Sequence, residues 1–321
     1  MKIVIPGGTG QLGGALARAF HERGAEVVIL ARAPAKAQAP SPSARLVGWD
    51  GRALGPWPAE LDGADAVINL AGRTVNCRYT PANVEAMMSS RVDSTRAIGA
   101  AIAAAARPPR AWLQMSTATI YAHRFEAPND EATGVLGGDE PDAPAYWRRS
   151  VEIARAWEAA QAEAPTPRTR KVALRAAMVM GAAPGGVFQV LSRLARLGLG
   201  GPIAGGRQWM SWIHERDFLR AVELLLAREE LDGPVNLSSP GPQTQRDFMA
   251  ALRAAWGVRV ALPATKWMVE VGAFFLRTDT ELVLKSRRVL PGRLLASGFT
   301  FDLPDWPAAA RALVEETRGS R

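Results

Sequence analysis

Seven consecutive residues, Gly7-Gly8-Thr9-Gly10-Gln11-Leu12-Gly13, carry the most specific chemical signal in the chain. They follow the apolar run Lys2–Ile5 and open a segment with helical spacing at Leu12, Leu16, Ala19 and Phe20. In that setting Gly7 permits a tight turn, Gly10 lets backbone come close to a bound group, and Gly13 lets the helix pack on the strand. The N–H groups opening such a helix are unpaired and sit at the positive end of its dipole, which suits a pyrophosphate. The order strand, loop, helix therefore points to a bound dinucleotide held by Gly7, Thr9, Gly10, Gln11, Leu12 and Gly13. The plainer alternative is a glycine-rich turn that holds nothing.

The end of the second strand discriminates between dinucleotides. An acid there accepts hydrogen bonds from the adenosine ribose and repels a 2′-phosphate. Here the position reads Ala31-Arg32, with no acid beside it. A guanidinium matches a phosphate bidentately, so NADP is expected over NAD. Otherwise Arg32 is only a solvated charge at a strand end.

These residues need a scaffold, and the chain supplies one by alternation. Apolar strand runs at Lys2–Ile5, Glu26–Leu30, Ala44–Gly48, Ala66–Leu70, Ala111–Ser116 and Lys171–Ala176 alternate with helical stretches, including a long one from about Pro81 to Ala106. This predicts an α/β fold, a doubly wound parallel sheet of the Rossmann kind. Beyond Gly181 the elements shorten and Gly/Pro punctuation becomes dense. We therefore expect a dinucleotide-binding domain over 1–180. Residues 181–321 would form mostly a smaller substrate lobe, with segments near 207–238 returning to the main sheet.

Composition narrows the function classes. The chain has 321 residues, 48% of them hydrophobic, and a net charge of +8. Its pI is near 10.3, yet the arginines are scattered along amphipathic segments, so no nucleic-acid partner is expected. The first strand runs straight into the glycine loop, which leaves no room for a signal peptide. The most apolar stretch, Ala97 to Ala106, is about half a membrane span. Cys77 is the single cysteine, which fits a reducing compartment. A cytoplasmic protein is expected, monomeric or homodimeric, with a small-molecule substrate and no membrane partner. His21, His123 and His214 lack metal-ligand spacing, so no metal site is expected.

Several further stretches, taken with the glycine loop, resemble one family. They are Ala31-Arg32, Val67-Ile68-Asn69-Leu70-Ala71-Gly72, Ser90-Arg91 and Leu197-Gly198-Leu199-Gly200-Gly201-Pro202-Ile203. Gly206-Arg207-Gln208-Trp209, Trp212-Ile213-His214 with Asp217, and Leu262-Pro263-Ala264-Thr265 through Val289-Leu290-Pro291 to Gly298-Phe299 complete the set. Together the pattern is similar to the "epimerase family" of atypical short-chain dehydrogenase/reductases, YfcH type. The resemblance implies that Leu70, Ala71, Gly72 and Arg91 lie against the cofactor and that Met178 lies beside the nicotinamide. It places Thr117 at the superfamily's catalytic serine, with Ser116 next to it, where a hydroxyl would bond the substrate's reacting oxygen. The competing reading of Thr117 is a strand-end hydroxyl bonded to its own backbone.

The superfamily's acid/base unit is Tyr-x-x-x-Lys on the next helix, the lysine lowering the tyrosine pKa from about 10. Tyr146 starts that helix, but Ser150 stands four residues on. Arg149 could supply charge, and Tyr121, just after the Thr117 strand end, is the other candidate acid. Either tyrosine is otherwise an amphipathic wall residue. Arg207, Gln208 and Trp209 have the donors and aromatic surface to line a substrate pocket, while His214 and Asp217 suit a helix cap equally well. Asp130, Glu131, Asp139, Glu140 and Asp142 are expected to form a solvated lid loop. The leading expectation is an NADP-dependent oxidoreductase or epimerase acting on a carbonyl or secondary alcohol. The rival is a catalytically silent NADP-binding regulator, of the division-related kind that the resemblance also includes.

Overall fold

The computed structural model describes residues 1–41, 44–141, 144–265, 267–268 and 280–319. A seven-stranded sheet forms its centre, in the order β10-β6-β5-β4-β1-β2-β3 with every pairing parallel. The strands are β1 (Lys2–Pro6), β2 (Glu26–Ala31), β3 (Ala44–Gly48), β4 (Ala66–Asn69), β5 (Ala111–Thr117), β6 (Arg170–Ala176) and β10 (Gly233–Leu237). Their near-continuous apolar runs are what a sheet covered on both faces requires. The reversal of strand order falls between β1 and β4, where α/β sheets leave a crevice at the strands' carboxyl ends.

Alternation along each strand sends neighbouring side chains to opposite faces. Ile3 and Ile5 join one core with Leu16 and Phe20 of α1 (Gln11–Glu22) and Phe218, Val222 and Leu225 of α5 (Glu215–Ala227). Val4 joins the other, with Ile98 and Ile102 of α2 (Pro81–Ala104), Trp57 and Trp112. Each fully buried side chain of this size contributes about 2 kcal/mol. Thr80 caps α2 by accepting from the Asn83 N–H at 3.3 Å, and Pro81 occupies its first turn. The remaining helix on this side is α3 (Ala145–Ala162).

After β6 the chain, apart from α5 and β10, builds a smaller assembly. β7 (Met178–Met180) pairs with β9 (Trp212–His214), and β8 (Trp209–Met210) with β11 (Gln243–Thr244). Helices α4 (Val187–Arg196) and α6 (Gln245–Trp256) follow. Two short turns come next, α7 (Glu281–Leu284) and α8 (Gly292–Ala296), and then α9 (Trp306–Gly319). Trp306 stacks on Phe248 at 3.8 Å and meets Trp212 edge-on at 4.9 Å, centring a third core. Asp217, fully buried, accepts from the Asp302 and Leu303 N–H groups at 2.8 and 3.0 Å and so fastens the C-terminal segment to α5. Among the described residues, no helix is long and apolar enough to cross a membrane.

Candidate functional site

The glycine loop is a cradle made of backbone. Gly7 turns the chain at φ +74°, and its N–H donates to the Leu30 carbonyl of β2 at 3.0 Å. A β-carbon on Gly7 would lie 2.8 Å from Ala71 Cα, and one on Gly13 only 2.3 Å from Gly8 Cα, so neither position admits a side chain. Gly10 is different: a β-carbon there meets nothing within 4 Å. It N-caps α1, a helix with no side-chain cap and no acid in its first turn. Orphan N–H donors, a positive dipole end and open space above Gly10 together fit a pyrophosphate. Thr9 and Gly10 are exposed, Gln11 and Leu12 half-buried. The Gln11 amide reaches Glu215 Oε2 at 3.5 Å. Ala31 is buried at the end of β2, while Arg32 beside it is exposed and forms no ion pair with a described residue.

The next strand ends extend this rim. The Leu70 N–H donates to the Pro6 carbonyl at 2.9 Å, and Asn69 holds the Ala71 N–H at 3.0 Å while donating to Gln114 at 2.9 Å. Gly72 packs on Arg91, whose guanidinium carbon would sit 3.3 Å from a β-carbon at 72. Arg91 donates to the Met87 and Arg73 carbonyls and lies 4.9 Å above the Trp157 ring. Burial lowers its pKa to about 10, which leaves it charged at neutral pH.

At the ends of β5, β6 and β7 the surface opens into a cavity of about 290 Å³. Arg91, Ser116, Thr117 and Met178 all line it. The two hydroxyl residues differ in their partners. Ser116 Oγ donates to Glu158 Oε1 at 2.6 Å, and Glu158 in turn forms a two-point pair with Arg175 at 2.9 and 2.8 Å. Thr117 Oγ1 accepts from the Thr119 N–H at 3.1 Å, the strand-end bond foreseen as its competing role. That bond uses a lone pair and leaves the hydroxyl hydrogen to be donated elsewhere.

A further wall comes from the C-terminal segment, through residues that the sequence did not single out. Ser150 of α3, four residues after Tyr146, bonds Glu281 Oε2 at 2.5 Å. Glu281 Oε1 lies 3.4 Å from Lys285 Nζ, which also donates to the Thr119 carbonyl at 2.9 Å. Ser150, Glu281 and Arg287 line the cavity, and the Arg287 guanidinium is anchored on the Glu281 carbonyl at 2.8 Å. Burial pushes the Glu281 carboxyl above its usual range despite the adjacent ammonium. No spacing rule joins positions 131 residues apart, so the sequence carries little sign of this wall beyond the charged cluster itself.

Neither candidate tyrosine lines the cavity. The Tyr146 hydroxyl is 2.7 Å from Thr280 Oγ1. Tyr121 is 1% exposed, donates to Asn236 at 2.9 Å and accepts from Arg175 at 3.0 Å. Burial raises its pKa, outweighing the nearby guanidinium. Arg207, Gln208 and Trp209 also stand outside the cavity. Arg207 is exposed, Gln208 donates to the Ile203 and Val283 carbonyls, and Trp209 donates to Phe125 with Arg288 stacked 4.3 Å above it.

His214 caps α5, its Nδ1 accepting from the Arg216 N–H at 3.1 Å. The acidic loop is not uniformly solvated. Glu131 accepts from the Asn236 N–H at 2.7 Å, and Glu140 accepts from the His123 and Gly138 N–H groups, both at 2.7 Å. Asp130 caps the turn at Ala132 and Thr133, and Asp139 is exposed. These carboxylates stitch the loop to the body because buried N–H groups need acceptors. Asp142 lies outside the described residues.

Known proteins share this arrangement. Residues 3–238 match the family described as "NAD dependent epimerase/dehydratase family", and residues 264–313 match a domain of unknown function, DUF1731. Human epimerase family protein SDR39U1 is 31% identical over 317 residues, covering 98% of this chain and 100% of the relative. Epimerase family protein SERP0438 of Staphylococcus epidermidis is 28% identical over 307 residues, 94% of each chain. The crystal structure of human epimerase family protein SDR39U1 (isoform 2) with NADPH superposes with a TM-score of 0.84 at 30% identity. It covers 98% of this chain and 99% of that one. The nucleoside-diphosphate sugar epimerase from Corynebacterium glutamicum gives a TM-score of 0.74 at 26% identity, over 98% of this chain and 58% of that one. With its cradle, its strand order and both matched segments, this chain belongs to the NAD dependent epimerase/dehydratase family.

Proposed function

We propose that this chain binds NADP(H) and acts as an oxidoreductase or epimerase on a carbonyl or secondary alcohol. The observation that carries the reading is the cavity beside the glycine cradle, where Thr117, Ser150 and Glu281 converge next to Met178. Residues 1–180 hold the dinucleotide through Gly7, Thr9, Gly10, Gln11, Leu12 and Gly13, with Ala31, Leu70, Ala71, Gly72 and Arg91 along its rim. Arg32 receives the 2′-phosphate, and Met178 packs near the nicotinamide. The C-terminal part of the chain closes over the substrate. The human relative crystallised with NADPH supports the choice of dinucleotide.

When bound, a nicotinamide supplies or accepts a hydride. The chain's own residues supply the rest. Thr117 donates a hydrogen bond to the reacting oxygen, and Ser150 relays a proton between that oxygen and the Glu281 carboxyl. Ser116 keeps Glu158 and Arg175 in place behind the strand end. Tyr146 braces Thr280 and so fixes where Glu281 stands.

Fluorescence titration with NADPH and NADH tests the first claim, and Arg32→Asp tests its assignment. We expect preference for NADPH to fall about tenfold in the variant. An unchanged ratio removes Arg32 from the 2′-phosphate site. The second reading, a cofactor-binding regulator without turnover, is favoured by one observation: Ser150 stands where the superfamily's lysine would be. It takes precedence if NADPH binds but no carbonyl in a broad panel is consumed.

A further inference from the structure

We infer that one edge of the smaller C-terminal assembly docks on the surface of an anionic lipid bilayer, setting exposed apolar side chains and arginines against it together. This goes beyond the reading of the cavity and does not rest on it. It replaces the expectation of no membrane partner. That expectation rests on the lack of a spanning segment, and docking on a surface needs none.

The apolar part of the edge is built from two segments held side by side. The Leu262 N–H donates to the Gly198 carbonyl at 2.8 Å, Ala264 donates to Pro202 at 3.0 Å, and Ala204 donates to Ala264 at 2.9 Å. Val260 packs on Gly198, where a β-carbon would lie 3.2 Å from Val260 Cγ1. On this rigid pairing Leu197 is 62% and Val260 60% exposed, and Leu199 and Leu262 stand out beside them. Trp267, five residues after Leu262, is 64% exposed. The exposed face of α4 continues the patch, because Val190, Arg193 and Leu197 share one stripe at helical spacing. Single exposed leucines are ordinary, but a gathered apolar patch marks a surface that meets a partner.

The charge of this edge has one sign. Between Ala182 and His214, and again between Phe248 and Met268, the sequence holds six basic residues and no acid. The fold brings several of them to the patch. Arg253 donates to the Gly200 carbonyl, Arg196 lies 5.1 Å above the Trp256 ring, and Arg259 immediately precedes Val260. Arg193, Arg196 and Arg259 are exposed and form no ion pair with a described residue.

Exposed leucines and a tryptophan beside unpaired arginines suit an interface where acyl chains lie beneath phosphate headgroups. The leucines enter the apolar boundary, while arginine stems cover it and their guanidinium groups stay with the phosphates. A nucleic acid would take the cations and leave the leucines in water. A second copy is opposed by symmetry. A two-fold contact through this edge sets its arginines against the same arginines, and like charges across an interface repel.

Co-sedimentation with vesicles tests the inference. The full chain is mixed with vesicles of phosphatidylglycerol and phosphatidylcholine in equal parts, and with vesicles of phosphatidylcholine alone. Partition into the anionic vesicles should be about tenfold stronger or more, and should fall at high salt. Leu199→Ser with Leu262→Ser should weaken it about tenfold, because the pair removes apolar burial and no charge. Arg196→Glu should weaken it to a similar extent. Arg168→Glu, the same reversal made at the amino end of β6, should change it little. Every side chain replaced is exposed, so each variant should keep the melting midpoint of the unaltered chain.

No binding to either vesicle, equal binding to both, or partition that survives either the leucine pair or Arg196→Glu overturns the inference. A dimer in light scattering that the leucine pair breaks, without vesicle binding, overturns it in favour of a second copy. Capture of duplex DNA without vesicle binding overturns it in favour of a nucleic acid.

Discussion

The two halves of the site are built from different materials. The cofactor side is a backbone structure: glycines within a seven-residue stretch, an uncapped helix start, and strand ends whose N–H and C=O groups hold one another. The proposed substrate side is a side-chain structure. Ser150 and Glu281 meet across 131 residues of chain, and Lys285 and Arg287 join them by charge and hydrogen bonds. A backbone site tolerates little and reads out directly as spacing. A side-chain site depends on the tertiary fold and can be rewritten residue by residue.

The largest expected effect lies on the side-chain half. Glu281→Leu leaves the Lys285 ammonium buried without its carboxylate and should cost about 4 kcal/mol in chemical denaturation. Glu281→Leu with Lys285→Met should recover most of that loss. A double variant as unstable as the single one would show that the pair is not the unit we describe.

The backbone half breaks next. Gly13→Ala puts a methyl 2.3 Å from Gly8 Cα, and overpacking of this kind costs about 3 kcal/mol. Its sharper readout is NADPH affinity, which should be lost, while Glu281→Leu keeps it. If both variants lose cofactor equally, the division between the halves is false.

A pH effect of similar size arises at the start of α5. Burial lowers the His214 imidazole to about 4 from its ordinary 6.5, so the folded state binds fewer protons than the unfolded chain between those values. Its contribution to stability is complete above pH 6.5 and is lost as pH falls towards 4, up to about 3 kcal/mol. Melting curves across that window should fall, and His214→Asn, which can still cap α5, should flatten the fall. An unaltered slope would assign the acid sensitivity to other groups.

The smallest effect concerns the tyrosine outside the cavity. Tyr121→Phe removes bonds to Asn236 and Arg175 and should cost about 1–2 kcal/mol with little change in kcat. A collapse of kcat at unchanged KM and fold would return Tyr121 to the chemistry.

Legibility follows the same division. The sheet, the positions of its strands and the Gly7–Gly13 cradle were legible because alternation and glycine spacing are local properties. Thr117 and Met178 were placed by strand ends and a family pattern, and both line the cavity. Tyr121 lies outside the cavity although it is near Thr117 in sequence: the short turn after Thr117 carries its ring to the Arg175 side. Arg207, Gln208 and Trp209 were chosen for their chemistry, yet Gln208 and Trp209 spend their donors on carbonyls. Glu281, Lys285 and Arg287 stood in view as ordinary charges. What distinguishes them is burial, and burial is a property of the whole fold.

The Ser150–Glu281 bond has a consequence for a chain emerging from the ribosome. The residues of the cradle and its rim, through Gly72 and Arg91, leave the exit tunnel long before Glu281 does. Domains form in that order as synthesis proceeds. The wall that Glu281 contributes beside the proposed site is therefore the late part to form, because it needs its segment to fold back onto α3. In the proposed reading, the chamber cannot work before the segment carrying Glu281 has docked.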